Sequence, residues 1–416
     1  MLELEVMPER ALASSQWELV LGMPLSQVLE VLQLHSGAVQ TALLTYSDQK
    51  PFEQDLSVDL NQDGVRLYFD PRSQRLKLIE VYDVTKVKMK YCNRFFCSSE
   101  ITPTVDLIND CFGPTHPGEM DKGHNYYLLH FRGILFAFPL WTAQSGYPSP
   151  ELGELLEADS YGSLVLSRLC LFSGNITDPA EARAPVMPLE CFHGNGYSES
   201  VEVVRSEDGK IKGLQLKFIM DEPRSGGVGG EGRLKGLERR VMFGDTPQDV
   251  CSSLGAPSKV FFKAEDKMRI HSSGSHKLPT SKCSDYFFNY FTLGLDVLFD
   301  CATHRVRKMV MHNNVPGHYN FNIYNRCEFI VKFPPSQQLC RDSSSSEVVV
   351  TSSTKWSEIQ DYLTEPSDKP VVLNRSSSTN SINPFGSTFC YGHQNIIFEV
   401  MRNQHIASIT IYSLAT

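Results

Sequence analysis

The sequence has few of the features that give a function away. Lys and Arg number 39 against 48 Asp and Glu in 416 residues, a net charge of −9. The basic excess with which a general nucleic-acid binder displaces counterions from phosphates is therefore missing. No run approaches the ~18 apolar residues of a transmembrane helix. The start, MLELEVMPER, places acids where a secretory signal has a basic residue and then an apolar run. The end, ITIYSLAT, carries neither a prenylation box nor an ER-retention signal. The 11 cysteines are scattered rather than paired, as reduced thiols are and disulfide frameworks are not. Together these absences predict a soluble, cytoplasmic protein that binds no nucleic acid.

Motifs of catalysis are missing as well. GGVGGEGRLKG is glycine-rich but lacks the Gly-Lys-Ser/Thr ending that handles phosphate and magnesium, and no apolar strand leads into it. No Gly-x-Ser-x-Gly elbow occurs. His304, His312, His318 and Cys327 share one stretch, but their spacing is not that of a structural zinc site. Cys92 and Cys97 have no second pair to complete one. Buried or half-buried thiols and surface histidines are the expectation. The chain is predicted to be non-enzymatic, without cofactor, metal or catalytic residues.

What is present is repetition. LNQDGVRLYFDPRSQRLKLIEV (60–81) reads as a strand end, a Gly turn, a strand, a tight turn and a third strand, and YFTLGLDVLFDCATHRVRKMVM (290–311) repeats it without a gap. Gly64 falls on Gly294, Phe69 on Phe299, Asp70 on Asp300 and Arg75 on Arg305. Upstream, Leu25, Val28, Leu29 and Leu32 recur at helical spacing, and FGDTPQDVCSSLGAP repeats that helix. An eight-residue insertion within EDKMRIHSSGSHKLPTSKC separates helix from sheet in the later copy. Two weaker copies follow. One runs from PTVDLINDCFGPTHPG to Gly133–Phe138; the other joins KWSEIQDYL to Ile396–Val400 and to Ile406, Ile409 and Ile411.

This pattern predicts an α+β class: tandem units of a helix packed on a curled antiparallel sheet, with a β-rich middle segment. The expected divisions are a first unit with its weaker copy (1–140), the middle segment (141–224), a glycine-rich linker (225–235), a second unit (236–335) and a C-terminal helix-plus-strands unit (350–416). The serine-rich stretches 342–347 and 375–381 read as polar loops, the second a candidate for phosphorylation.

Two clusters stand out as binding candidates. In VTKVKMKYCNR, strand alternation puts Lys86, Lys88 and Lys90 on one face, suited to an acidic partner or anionic headgroups, or to guarding a sheet edge. At the start of the later repeat, Phe287 and Phe291 share one strand face while Phe288 and Tyr290 share the other. Such aromatics are expected to pack internally or to form a partner face.

The segments IEVYDVTKVKMKYC, SKCSDYFFNYFTLGLDVLFD, PGHYNFNIYNRCEF, NPFGSTFC and IIFEVMRNQHIASITIY resemble the phagosome assembly factor family, and the similarity spans essentially the whole chain. That resemblance implies a non-enzymatic adaptor in autophagy, paired with a WD40-propeller protein of the breast-carcinoma-amplified-sequence type. It implies recruitment of the pair to the phagophore, the preautophagosomal structure, with phosphoinositide membrane binding mainly through the partner. An older association of the family is with Golgi-to-plasma-membrane trafficking, and a lipid-carrying protein is the alternative. The family supplies no catalytic motif to carry over.

Overall fold

Turn residues set this architecture. Gly64 and Gly294 sit at φ +67 and +64, in the left-handed region that L side chains avoid. A Cβ on Gly64 would lie 2.7 Å from the Asp83 Cβ, and one on Gly294 would run into the Asn325 carbonyl. The next turn is repeated atom for atom. The Asp70 carboxylate accepts from the Arg72 and Ser73 amides and the Ser73 hydroxyl; that of Asp300 accepts from the Ala302 and Thr303 amides and the Thr303 hydroxyl. Each turn closes on a residue of positive φ, Gln74 or His304, and Gln404 does the same in the last copy. These turns also anchor helix starts. The Leu25 amide donates to the Gln74 carbonyl at 2.9 Å and the Trp356 amide to that of Gln404 at 2.7 Å.

The computed structural model describes residues 1–37, 39, 41–114, 118–121, 123–140, 162–194, 196–221, 234–263, 284–333, 348–363, 369–374 and 385–413. They divide into two units, Met1–Cys191 and Phe192–Thr416. In the first, the chain runs β1 (Leu2–Met7), β2 (Ala11–Ala13), β3 (Glu18–Val20), α1 (Leu25–Leu34), β4 (Leu43–Thr45), β5 (Leu56–Leu60), β6 (Val65–Phe69) and β7 (Leu76–Val81). It continues through β8 (Val87–Tyr91), β9 (Arg94–Cys97), α2 (Val105–Phe112), β10 (Glu119–Asp121), β11 (Tyr126–Phe131), β12 (Ile134–Pro139) and β13 (Arg168–Phe172). A five-stranded sheet has the order β3-β2-β1-β8-β9, and an eight-stranded sheet the order β10-β11-β12-β13-β7-β6-β5-β4. Neighbours are antiparallel except β8, which lies parallel beside β1.

The second unit follows the same path. Its elements are β14 (Gly196–Arg205), β15 (Ile211–Asp221), β16 (Leu234–Met242), α3 (Pro247–Leu254), β17 (Lys259–Phe262), β18 (Tyr286–Tyr290), β19 (Leu295–Phe299) and β20 (Val306–His312). Then come β21 (Phe329–Phe333), β22 (Val348–Thr351), α4 (Trp356–Leu363), β23 (Val371–Leu373), β24 (Thr388–His393), β25 (Ile396–Val400) and β26 (Ile406–Tyr412). The sheet orders are β16-β15-β14-β21-β22 and β17-β18-β19-β20-β26-β25-β24-β23. Strand for strand this is the first unit again, including the parallel β14·β21 pair. Each eight-stranded sheet is itself two four-stranded meanders joined through their last strands, β7 with β13 and β20 with β26.

The predicted α+β class is overturned: among the described residues the chain has 26 strands and four helices, only eight or ten residues long. The helical periodicity is real but brief, and α1 buries only Leu25, Val28 and Leu32. What opposes the large sheet is mainly another sheet. In the second unit one core joins Val201, Leu214, Leu216 and Val241 of the small sheet to Val297, Phe299, Met309 and Ile409 of the large one. Val250 of α3 and Trp356 of α4 join the same core. Each such side chain contributes about 1.5–3 kcal/mol on burial, so the sheet-to-sheet contact outweighs two short helices. The β-rich segment expected at 141–224 is shared, with β13 completing the first unit and β14 and β15 opening the second. Of the linker expected at 225–235, residues up to 233 lie outside the described residues, and Leu234 begins β16. The eight-residue insertion and both serine-rich stretches also lie outside them.

Candidate interaction surfaces

The lysines of VTKVKMK are divided between two elements. Lys86 ends a single helical turn, Val84–Lys86, where its Nζ donates to the Asn61 carbonyl at 2.9 Å and lies 3.4 Å from Asp83. Lys88 and Lys90 alternate on β8 with the fully buried Val87 and Met89. β8 is an interior strand, so these lysines guard no edge. In register beside them on β1 stand Glu3 and Glu5, and the Lys90 Nζ lies 3.2 Å from Glu3 and 4.0 Å from Glu5. The second unit repeats the pair at the equivalent place, with Lys332 of β21 on Glu202 of β14. An ion pair kept in both copies belongs to the fold, and half-exposed pairs of this kind contribute about 0–1 kcal/mol.

The aromatic cluster lies at one edge of the second large sheet. Phe287 is in register between Phe261 of β17 and Leu298 of β19, with the Lys263 Nζ 5.9 Å from its ring centre. Phe291 has left the strand for a short turn and meets the Tyr324 ring edge-on at 5.1 Å. Tyr286 and Phe288 point the other way and pack against the core. Beyond them β17 carries Val260, Phe261 and Phe262 at 43%, 49% and 61% exposure. Among the described residues this strand is hydrogen-bonded on one side only.

Sequence reasoning did not find the polar network on the outer face of the same sheet. Asp296 of β19 accepts from the Asn289 amide at 2.7 Å and the Tyr324 hydroxyl at 2.9 Å, and faces the His312 Nε2 at 2.8 Å. The His312 and Tyr324 rings stack at 3.9 Å. Two strands beyond His312, on β25, Glu399 accepts from Thr388 and Ser408 at 2.8 Å each, with the His318 Nε2 at 3.4 Å. Ser408 stands opposite His312 in register and so links the two groups. Burial, then the nearby Asp296 charge, pushes the Tyr324 hydroxyl well above its usual pKa. His312 and His318 are 8% and 5% exposed, so the expectation of surface histidines fails for both. Cys97 and Cys327 are buried as expected, but Cys92, at the tip of the β8–β9 turn, is exposed. The readable signal was an acid on the otherwise apolar strands LGLDVLF and IIFEV.

A carboxylate–imidazole pair is also the groundwork of general-base catalysis. Here, however, each carboxylate is occupied by hydroxyl or amide donors, and Tyr324 and His318 belong to the connection 313–328. The network therefore fastens that connection onto the sheet. In the first unit the equivalent positions hold Asp59, Arg66 and Tyr82: Arg66 and Tyr82 reach Asp59 at 2.7 and 2.9 Å, and the guanidinium sits 5.0 Å from the Tyr82 ring centre. Among the described residues no three His, Cys, Asp or Glu gather as a metal site needs. None of the described helices is long and apolar enough to cross a membrane.

No solved structure matches this chain. Its sequence has full-length relatives across kingdoms. It is 45% identical to a PHAF1 protein of Drosophila melanogaster, covering 100% of this chain and 95% of that one. The PHAF1 protein of Caenorhabditis elegans is 37% identical over 98% and 93% of the two chains. That of Arabidopsis thaliana is 34% identical over 94% and 89%. The family model for phagosome assembly factor 1 matches residues 15–412. Two tandem copies of one mostly-β unit, with these relatives along their whole length, place the chain in the phagosome assembly factor 1 family.

Proposed function

We propose that the chain is a non-enzymatic adaptor in autophagy that docks a WD40-propeller protein of the breast-carcinoma-amplified-sequence type and reaches the phagophore with it. Family membership supports a role in phagosome assembly. The observation that carries the docking step is β17, an edge strand with three exposed apolar side chains in a row. Such an edge is an aggregation hazard for a protein that works alone and a template for one that pairs with another chain. Phosphoinositide membrane is reached chiefly through the partner, because Glu3 and Glu5 offset the field of Lys88 and Lys90.

The test is capture of the propeller protein from cell extract by the intact chain and by Phe262→Lys. The intact chain should retain it, and the variant should retain about thirtyfold less, since one apolar hot-spot anchor typically contributes about 2 kcal/mol. Equal capture by both removes β17 from the interface; no capture by the intact chain removes the adaptor reading. Lys88→Glu and Lys90→Glu together should change binding of the isolated chain to phosphoinositide liposomes less than twofold, as befits an exposed, paired row. A large loss would make that row a membrane contact.

A further inference from the structure

The two units differ over the outer face of the large sheet, and the difference bears on binding. In the first unit this face is covered by the chain's own residues. Ile176 and Ala182, from the segment after β13, pack on Leu78, Leu135, Cys170 and Phe172, which are 7%, 2%, 2% and 0% exposed. That segment, SGNITDPAEA (173–182), contains two acids and no base. By register, the positions of Leu78, Leu135, Cys170 and Phe172 are taken in the second unit by Lys308, Ile397, Thr410 and Tyr412. All four are only half-buried. Phe287 and Phe261 continue the patch to the sheet edge.

Among the described residues, charge has changed along with cover. Lys308 replaces Leu78 at the centre of the patch, and Lys263 and Arg307 lie close enough to repel its charge. Among the described residues, the carboxylates nearby are Asp285, beside Lys308, and Asp300, which pairs with Arg307 at 2.8 Å. The floor is thus apolar and aromatic with a cationic centre, complementary to the acidic, lightly apolar strip that covers the same place in the first unit.

We infer that the outer face around Lys308, Ile397, Thr410 and Tyr412 docks an extended acidic segment of a partner protein, anchored by small apolar side chains as Ile176 and Ala182 anchor 173–182. The inference rests on the adaptor reading and deepens it by naming the chemistry of the docked segment. An apolar anchor gives affinity, and the lysine selects against basic segments, for which its burial would carry a penalty.

The test places the photocrosslinking amino acid p-benzoylphenylalanine at position 412 of the full chain in cells, with the crosslinked peptide mapped by mass spectrometry. The expected product joins position 412 to an acidic, apolar-anchored segment of another protein. Its yield should fall about tenfold in Lys308→Glu. If that variant does not fold, Lys308→Gln carries the readout, with a fall of about threefold. Crosslinks confined to this chain, to a second copy or to a basic segment overturn the inference, as does a yield that neither Lys308 variant alters. Capture of the propeller protein without any crosslink from position 412 overturns it while leaving the adaptor reading intact. Failure of that capture overturns the adaptor reading itself.

Discussion

At the scale of single residues, duplication separates what the fold requires from what it tolerates. Gly64 and Gly294 occupy the same left-handed turn with backbone pressed against the missing Cβ. Replacing either by Ala should cost its own unit about 1–3 kcal/mol or more, because the residue must hold a strained φ and displace its neighbours. Urea unfolding of each variant checks this. The Asp300 carboxyl is held down to about 2, chiefly by the Thr303 backbone N–H, then by the Thr303 hydroxyl and Arg307. A folded pKa below the unfolded one means stability that is present above about 3.8 and is lost as pH falls towards 2. Asp300→Asn should therefore flatten the acid limb of the stability curve between those values, and an unchanged limb would show that this turn does not set it. Both turns were legible in the sequence, since Gly and Asp at fixed offsets announce themselves.

At the scale of elements, the hairpins β5–β7 and β18–β20 and the four helices were legible, but the outer strands of the meanders and the partners of each sheet were not. A hairpin leaves a local trace in turn residues and alternation. The pairing of β1 with β8, or β14 with β21, joins strands far apart in sequence and leaves none, so the five-stranded sheets and the mostly-β class went unread. The network under 313–328 escaped for a related reason: Asp296 and His312 come together only once β19 and β20 pair. Asp296→Leu strips His312, Asn289 and Tyr324 of their shared acceptor, and should cost about 1–3 kcal/mol for each buried donor left unsatisfied. Hydrogen exchange should show amides of 313–328 opening faster than those of β14 and β15. Uniform loosening of the whole unit would instead mean that the network does not act on the connection.

At the scale of the molecule, each unit builds its own sheets, and each should unfold cooperatively when expressed as 1–191 or 192–416. A fragment cut at residue 140, the end of the first division read from the repeats, lacks β13, which binds β12 and β7 together at the middle of the large sheet. That fragment should show no cooperative urea transition, whereas 1–191 should. The candidate sites were legible unevenly. Lys88 and Lys90 were conspicuous by composition, yet their glutamate neighbours arrive through the parallel pairing that sequence conceals. Lys308 drew no attention, because its meaning comes from what stands at the same place in the other copy.

The parallel pairing also bears on how the chain is made. β1 leaves the ribosome well before β8 but lies at the centre of its sheet, where Leu2 waits for Val87. Its antiparallel neighbour β2, with β3 beyond it, can form at once, leaving the other flank open during the synthesis of the whole first meander. β14 repeats the situation, with Val201 awaiting Phe329. Nascent chains of this protein thus pass twice through a state with an open strand beside an unfinished core, the kind of species that chaperones hold. Synonymous changes that slow translation between β1 and β8, or between β14 and β21, should lower the soluble yield more than the same changes placed after β8 or β21.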